Sequence, residues 1–249
     1  MYRGSRKHVL DWVEQPRFLP ELLDLALPVE CRVSSGSQWL PMGYRVATEA
    51  RLDTFGPRAL PNSVAWQEIR SWWLQHDRGA NTPNWDIALS CDVQGRPGLI
   101  LVEAKANEPE LSDAAKRSEL SSSQARRDNH ERIGTAIAEA RRALEPELPG
   151  LCIARDSHYQ LSNRIAFAWK LASLGIPTVL IYLGFTGDAG IADVGAPFSD
   201  DAHWQRVFEA HLQQVCPSPL VGRSVDGGTA SFWLLSRSRA VLEASSPAN

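Results

Sequence analysis

With 249 residues, 43% of them hydrophobic, the chain can bury a sizeable core, and one large domain with appendages is a simpler expectation than two small ones. A formal net charge of -3 and a pI near 6.1 argue against a bulk electrostatic grip on a long stretch of DNA or RNA, so any nucleic-acid contact must come from a local patch. No apolar run reaches the ~18 to 20 residues that cross a bilayer, Met1 to Trp12 is basic without an apolar signal core, and Cys31, Cys91, Cys152 and Cys216 have neither zinc nor disulfide spacing; the expectation is a cytoplasmic protein with reduced thiols and no membrane contact.

The first 60 residues are rich in proline and aromatics, with a short apolar piece at Glu21 to Leu27 and a candidate strand at Tyr44 to Leu52. They read as an N-terminal extension packed on the domain proper, which is expected over 61–244. Ser63 can cap a helix over Val64 to His76, with an apolar stripe through Val64, Ile69, Trp72 and Trp73 and with Glu68 in its second turn. Asn84 to Cys91 and Leu99 to Ala106 read as two strands of a hairpin, joined by the turn residues Val93 to Gly98. From Ser112 to Leu144 the pattern is helical, with Ile133, Ile137, Ala140 and Leu144 on one side. Ser157 to Leu174 predicts another helix, stopped by Gly175 and Pro177. A buried strand at Thr178 to Leu183, a helix at Asp201 to Val215 and a last strand at Ser231 to Leu235 follow, and the tail over 245–249 is expected to be disordered.

Chemistry concentrates in the hairpin. Glu103 and Lys105 are two apart on one strand, so both point to one face while Val102, Ala104 and Ala106 point to the other. Two charges inside an apolar strand demand a partner. A turn centred near Gly95 and Arg96 sets Asp86 opposite Lys105 and diagonal to Glu103, a separation that suits a divalent ion. Two carboxylates and the Ala104 carbonyl would satisfy part of the oxygen shell of Mg2+ or Mn2+ and leave room for a substrate phosphate. Lys105 is then placed to position or help deprotonate an attacking water, or to stabilise charge on the phosphorane.

An aspartate opening one strand with Glu-x-Lys on the next, here Asp86 and Glu103-Ala104-Lys105, resembles the PD-(D/E)xK nuclease superfamily. The resemblance extends over roughly Ser63 to Leu183. It implies an α/β protein with a restriction-endonuclease-like core, a central mixed sheet flanked by helices, here with N-terminal and helical additions. It also implies that Glu68, on the leading helix, joins the metal shell, and that Gln160 or Arg164, beside Asn163 on the later helix, contacts phosphate. Trp85 stands where the signature has proline, and only nine residues separate His76 from Asp86, which leaves little room for the strand that usually precedes the aspartate strand.

The resulting expectation is a metal-dependent nuclease acting on DNA, with a homodimer allowed. The alternative is a catalytically inactive module of the same fold that binds a nucleic acid or a protein partner. Several residues carry a blander reading. Glu103 and Lys105 alone make a cross-strand salt bridge. Gln160, Asn163 and Arg164 share one helical side, which serves equally as a solvated polar face. The arginines between Arg126 and Arg142 are interleaved with acids and read as an ion-laced surface, most tryptophans read as core, and Asp188 reads as a turn residue.

Overall fold

The segments that are apolar on both sides become the middle of the sheet, and the amphipathic ones become its cover. The computed structural model describes residues 2–60, 63–112, 114–115, 123–193 and 195–241. In chain order these form α1 (Gly4–Val13), α2 (Phe18–Ala26), β1 (Cys31–Arg32), β2 (Trp39–Leu40), β3 (Ala50–Arg51), α3 (Leu52–Ala59), α4 (Ser63–Trp73), β4 (Asn84–Trp85), β5 (Ile87–Val93), β6 (Arg96–Lys105), α5 (Gln124–Leu144), α6 (Tyr159–Ser173), β7 (Thr178–Thr186), α7 (Asp201–Gln213), β8 (Ser224–Asp226) and β9 (Ser231–Ala240). Most of the expected elements are present, with shifted ends. The expected tail at 245–249 lies outside the described residues.

The protein is α/β. Its seven-stranded mixed sheet runs β1-β5-β6-β7-β9-β8, with β2 also paired to β5. β6, β7 and β9 are parallel, while β5 and β8 pair antiparallel to the two flanks of that trio. All nine residues of β7 are buried, as a strand covered on both faces by helices requires. Alternation along β6 divides the core in two: Leu99 and Leu101 pack with α3 to α7, while Ile100, Val102 and Ala104 pack with α1 and α2. Trp72, Trp73 and Trp169 are core residues, as their helical positions predict.

One expectation fails in the amino-terminal third. Residues 44–52 do not form one strand: Tyr44–Val46 is a single helical turn and Ala50–Arg51 a two-residue strand, because Gly43 at φ 95° turns the chain there. The extension is also part of the sheet, since β1 and β2 both pair with β5. It thereby fills the edge for which the short stretch between His76 and Asp86 had no room. Among the described residues, no helix is long and apolar enough to cross a membrane.

Candidate active site

The hairpin register differs from the expected one by two residues. The turn is Gln94-Gly95, both at positive φ, so Val93 pairs with Arg96 and Ile87 with Val102. This register places Asp86 beside Glu103 instead of opposite Lys105. The ladder ends there: Asp86 N donates to the Val102 carbonyl at 3.1 Å, and the Asp86 side chain then takes over, its Oδ2 accepting from Ala104 N at 2.8 Å. A strand residue directs its N–H and C=O to the same edge, so the Ala104 carbonyl also faces the open side past Asp86.

Glu103 continues the Leu99 and Leu101 face of β6 toward the amino-terminal turn of α6. Both of its oxygens are occupied. Oε1 accepts from Lys105 Nζ at 2.6 Å and Gln160 Nε2 at 2.7 Å; Oε2 accepts from Arg164 Nε at 2.7 Å, with Nη2 at ion-pair distance, 2.6 Å. Lys105 Nζ also donates to Gln160 Oε1 at 2.8 Å, and Arg164 donates to the Asn84 carbonyl and to Asn163 Oδ1 while lying 4.4 Å over the Trp85 ring. Gln160, Asn163 and Arg164 are therefore not a solvated face. Asn163 and Arg164 are buried, and Gln160 and Arg164 grip Glu103 directly.

The two carboxylates are driven apart electrostatically. Burial tends to raise the Glu103 carboxyl, but Arg164 and Lys105 outweigh it and hold it below the usual carboxylate range. Asp86 has no ion pair among the described residues, and the charge of Lys105 and the Ala104 N–H only partly offset what raises it. Burial, and then the negative charge of Glu103, push it up to about 7. Tyr182, directly across from Glu103 on β7, is raised by burial and by the same charge, and its buried hydroxyl has no hydrogen-bond partner among the described residues.

The cluster forms the shared wall of two adjoining clefts of about 460 and 440 Å³, both lined by Glu49, Asp86, Glu103, Tyr159 and Gln160. The first extends to Arg6, Lys105 and Glu110, the second to Thr82, Asn163 and Arg164. Glu68 is not part of it. It sits on an exposed face of α4, with Oε1 2.8 Å from Lys170 Nζ, and lines neither cleft. Asp188 is a turn residue, as expected, accepting from Gly190 N at 3.0 Å and facing His8 Nε2 at 2.5 Å.

The carboxylate that does approach Asp86 is Glu49. Antiparallel pairing of Ala50 with Trp85 and Arg51 with Asn84, continued by one residue, sets Glu49 across from Asp86, and Asn84 Nδ2 holds Glu49 Oε2 at 3.0 Å. No periodicity marks Glu49, because its strand has two residues and its partner lies 35 positions away. Glu110 had a signal: Asn107-Glu108-Pro109-Glu110 turns the chain back at the exit of β6, and Glu110 Oε2 accepts from Ala106 N at 2.9 Å.

Among the described residues, no three His, Cys, Asp or Glu side chains are arranged as a ready-made metal cage. The donors nonetheless suit a hard cation: Asp86 Oδ1 accepts no hydrogen bond among the described residues, and Glu49 and the Ala104 carbonyl add oxygens at the same edge. Glu103 can join only by exchanging one of its present contacts. Compared with protein families, characterised proteins and solved structures, the chain has no significant match.

Proposed function

We propose that the protein is a metal-dependent nuclease with a restriction-endonuclease-like core, hydrolysing phosphodiester bonds in nucleic acid, DNA before RNA. The observation that carries this reading is the pairing of Asp86 with Glu103 at the open edge of β6, with Lys105 on the same strand face and a cleft in front. A carboxyl that burial, and then the neighbouring Glu103, push up to about 7 is costly to a fold once ionised, and a bound cation is the partner that would relieve the cost. Asp86, Glu49 and the Ala104 carbonyl would hold Mg2+ or Mn2+, with Glu103 as the exchangeable ligand; the ion would polarise the phosphoryl oxygen and activate water. Lys105, steered by Gln160, carries a proton donor to the reacting phosphate, and Arg164 fixes the position of Glu103.

One observation favours the second reading, a binding module without hydrolysis: Glu103 already accepts hydrogen bonds from Lys105, Gln160 and Arg164, so both of its oxygens are engaged by the protein itself. Purified protein incubated with plasmid, linear and single-stranded DNA and with RNA, in magnesium, manganese or EDTA, decides between them. Cleavage that EDTA abolishes is the expected result. Millimolar Mg2+ or Mn2+ should also raise the melting temperature of wild type and of Glu68→Gln, but not of Asp86→Asn. Binding without cleavage in any metal would select the second reading, and a melting curve indifferent to metal would remove the site.

A further inference from the structure

Lys105 and Arg164 direct their donors into the Glu103 cluster, but a third cation in the first cleft does not. Arg6, in the first turn of α1 on the wall of that cleft, is four-fifths buried, its side chain 18% exposed. Its Nη2 donates to the Ala47 carbonyl and its guanidinium stands 5.9 Å from the centre of the Tyr2 ring. Its Nη1 is buried with no hydrogen-bond partner among the described residues; Glu49 Oε1, 3.8 Å away, is an ion-pair partner but too far to accept a hydrogen bond. A guanidinium N–H left dry and unbonded is unfavourable, and a planar fork of this kind matches phosphate oxygens.

We infer that Arg6 is a phosphate-binding residue of the substrate site, donating from Nη1 to a non-bridging oxygen of a backbone phosphate next to the one attacked. This rests on the nuclease reading and extends it: the amino-terminal layer becomes part of the grip on substrate. Two features of the cleft support the assignment. Its wall carries Glu49, Asp86, Glu103 and Glu110, so a polyanion needs a counter-charge that the Glu103 cluster does not supply. Glu110 already lies against the first turn of α1, where a Cβ on Gly4 would come within 2.8 Å of its Oε1, so the helix end is blocked and the Arg6 side chain is the cation on that wall outside the Glu103 cluster.

The test compares wild type with Arg6→Gln and Arg6→Lys on short oligonucleotides in which one phosphate at a time is replaced by an uncharged methylphosphonate. Arg6→Gln should raise KM about tenfold with kcat nearly unchanged and lower the salt slope of binding by about one. Arg6→Lys, which keeps the charge, should recover part of the affinity. One methylphosphonate position beside the cleaved bond should weaken wild type about tenfold and leave Arg6→Gln unaffected, a coupling that loss of the Ala47 tie alone would not produce. If Arg6→Gln does not fold, the same walk on Arg6→Lys supplies the comparison. Equal penalties at every position in variant and wild type, or an unchanged KM and slope, overturn the assignment while an actively cleaving wild type keeps the nuclease reading. A wild type that neither cleaves nor binds nucleic acid overturns both.

Discussion

Asn129 on α5 and Glu103 on β6 are both buried polar side chains, 0% and 2% exposed, and they are satisfied by different kinds of partner. Asn129 Oδ1 accepts from Gln75 N and His76 N, each at 2.8 Å, and its Nδ2 donates to the carbonyls of His76 and Arg78 at 3.0 and 2.8 Å. Every partner is backbone and every group is neutral, so the cluster closes on itself and stitches the loop after α4 to α5. Glu103 is held by a lysine, an arginine and a glutamine side chain, with a second carboxylate beside it that has no ion pair among the described residues. Closed neutral networks serve a fold. A network that keeps an unfavourable charge at the mouth of a cleft is what the proposed cation site requires, and the difference can be measured.

The largest separation between the two clusters should come from Lys105. On the proposed nuclease reading its ammonium would assist the reacting phosphate more than the bound substrate, so Lys105→Ala should lower kcat by about a thousandfold with little change in KM. Lys105→Arg should not restore it, since a guanidinium has a different shape and does not readily lose a proton. Steady-state kinetics on both variants tests this, and full turnover in either removes Lys105 from the chemistry. The mirror experiment is Asn129→Ala, which strands two N–H groups and two carbonyls at once. It should cost about 3 kcal/mol, or roughly 6 to 12 °C in melting temperature, while kcat per folded molecule stays at the wild-type value. A fall in kcat instead would mean that the loop held by Asn129 reaches the site.

How far the site could be read from the chain follows the same division. Asp86, Glu103 and Lys105 were legible because strand alternation forces same-face charges together over a short hairpin, and Gln160 and Arg164 because helical spacing aligns them. The register was misjudged by two residues: the positive φ at both Gln94 and Gly95 moves the turn back by one position, and that single step shifts the partner of Asp86 from Lys105 to Glu103. Glu68 falls outside the site because α4 packs Ile69, Trp72 and Trp73 inward, Trp72 and Trp73 against α6, and leaves that carboxylate, like Val64 of the expected stripe, on the exposed side, beside Lys170. Glu49 and Arg6 were invisible, since pairings 35 and 43 residues long leave no local pattern; the second is the spacing of Arg6 to Glu49.

The smallest effect sharpens the comparison most, because it has a sign that a buried, ionisable carboxyl produces and a neutral amide cluster cannot. Burial and Glu103 raise Asp86 from an ordinary value near 3.8 to about 7, so between those values the unfolded chain releases its proton first. The Asp86 contribution to stability is therefore whole below about pH 4 and is lost as the pH climbs from there through 7. A shift of this size is worth up to about 4 kcal/mol, and the open side of the cleft, which solvates a half-buried carboxylate, reduces it to about 2 kcal/mol. A neutral amide carries no such cost: in Asp86→Asn its oxygen still accepts from Ala104 N and nothing ionises. In EDTA the variant should match wild type near pH 4.5 and melt roughly 4 to 8 °C higher at pH 8, whereas the deficit of Asn129→Ala should be the same at both. Melting curves across that range decide the matter. A variant no more stable than wild type at pH 8 would mean that Asp86 bears no strain for a cation to relieve, and the contrast between the two clusters would reduce to one of composition.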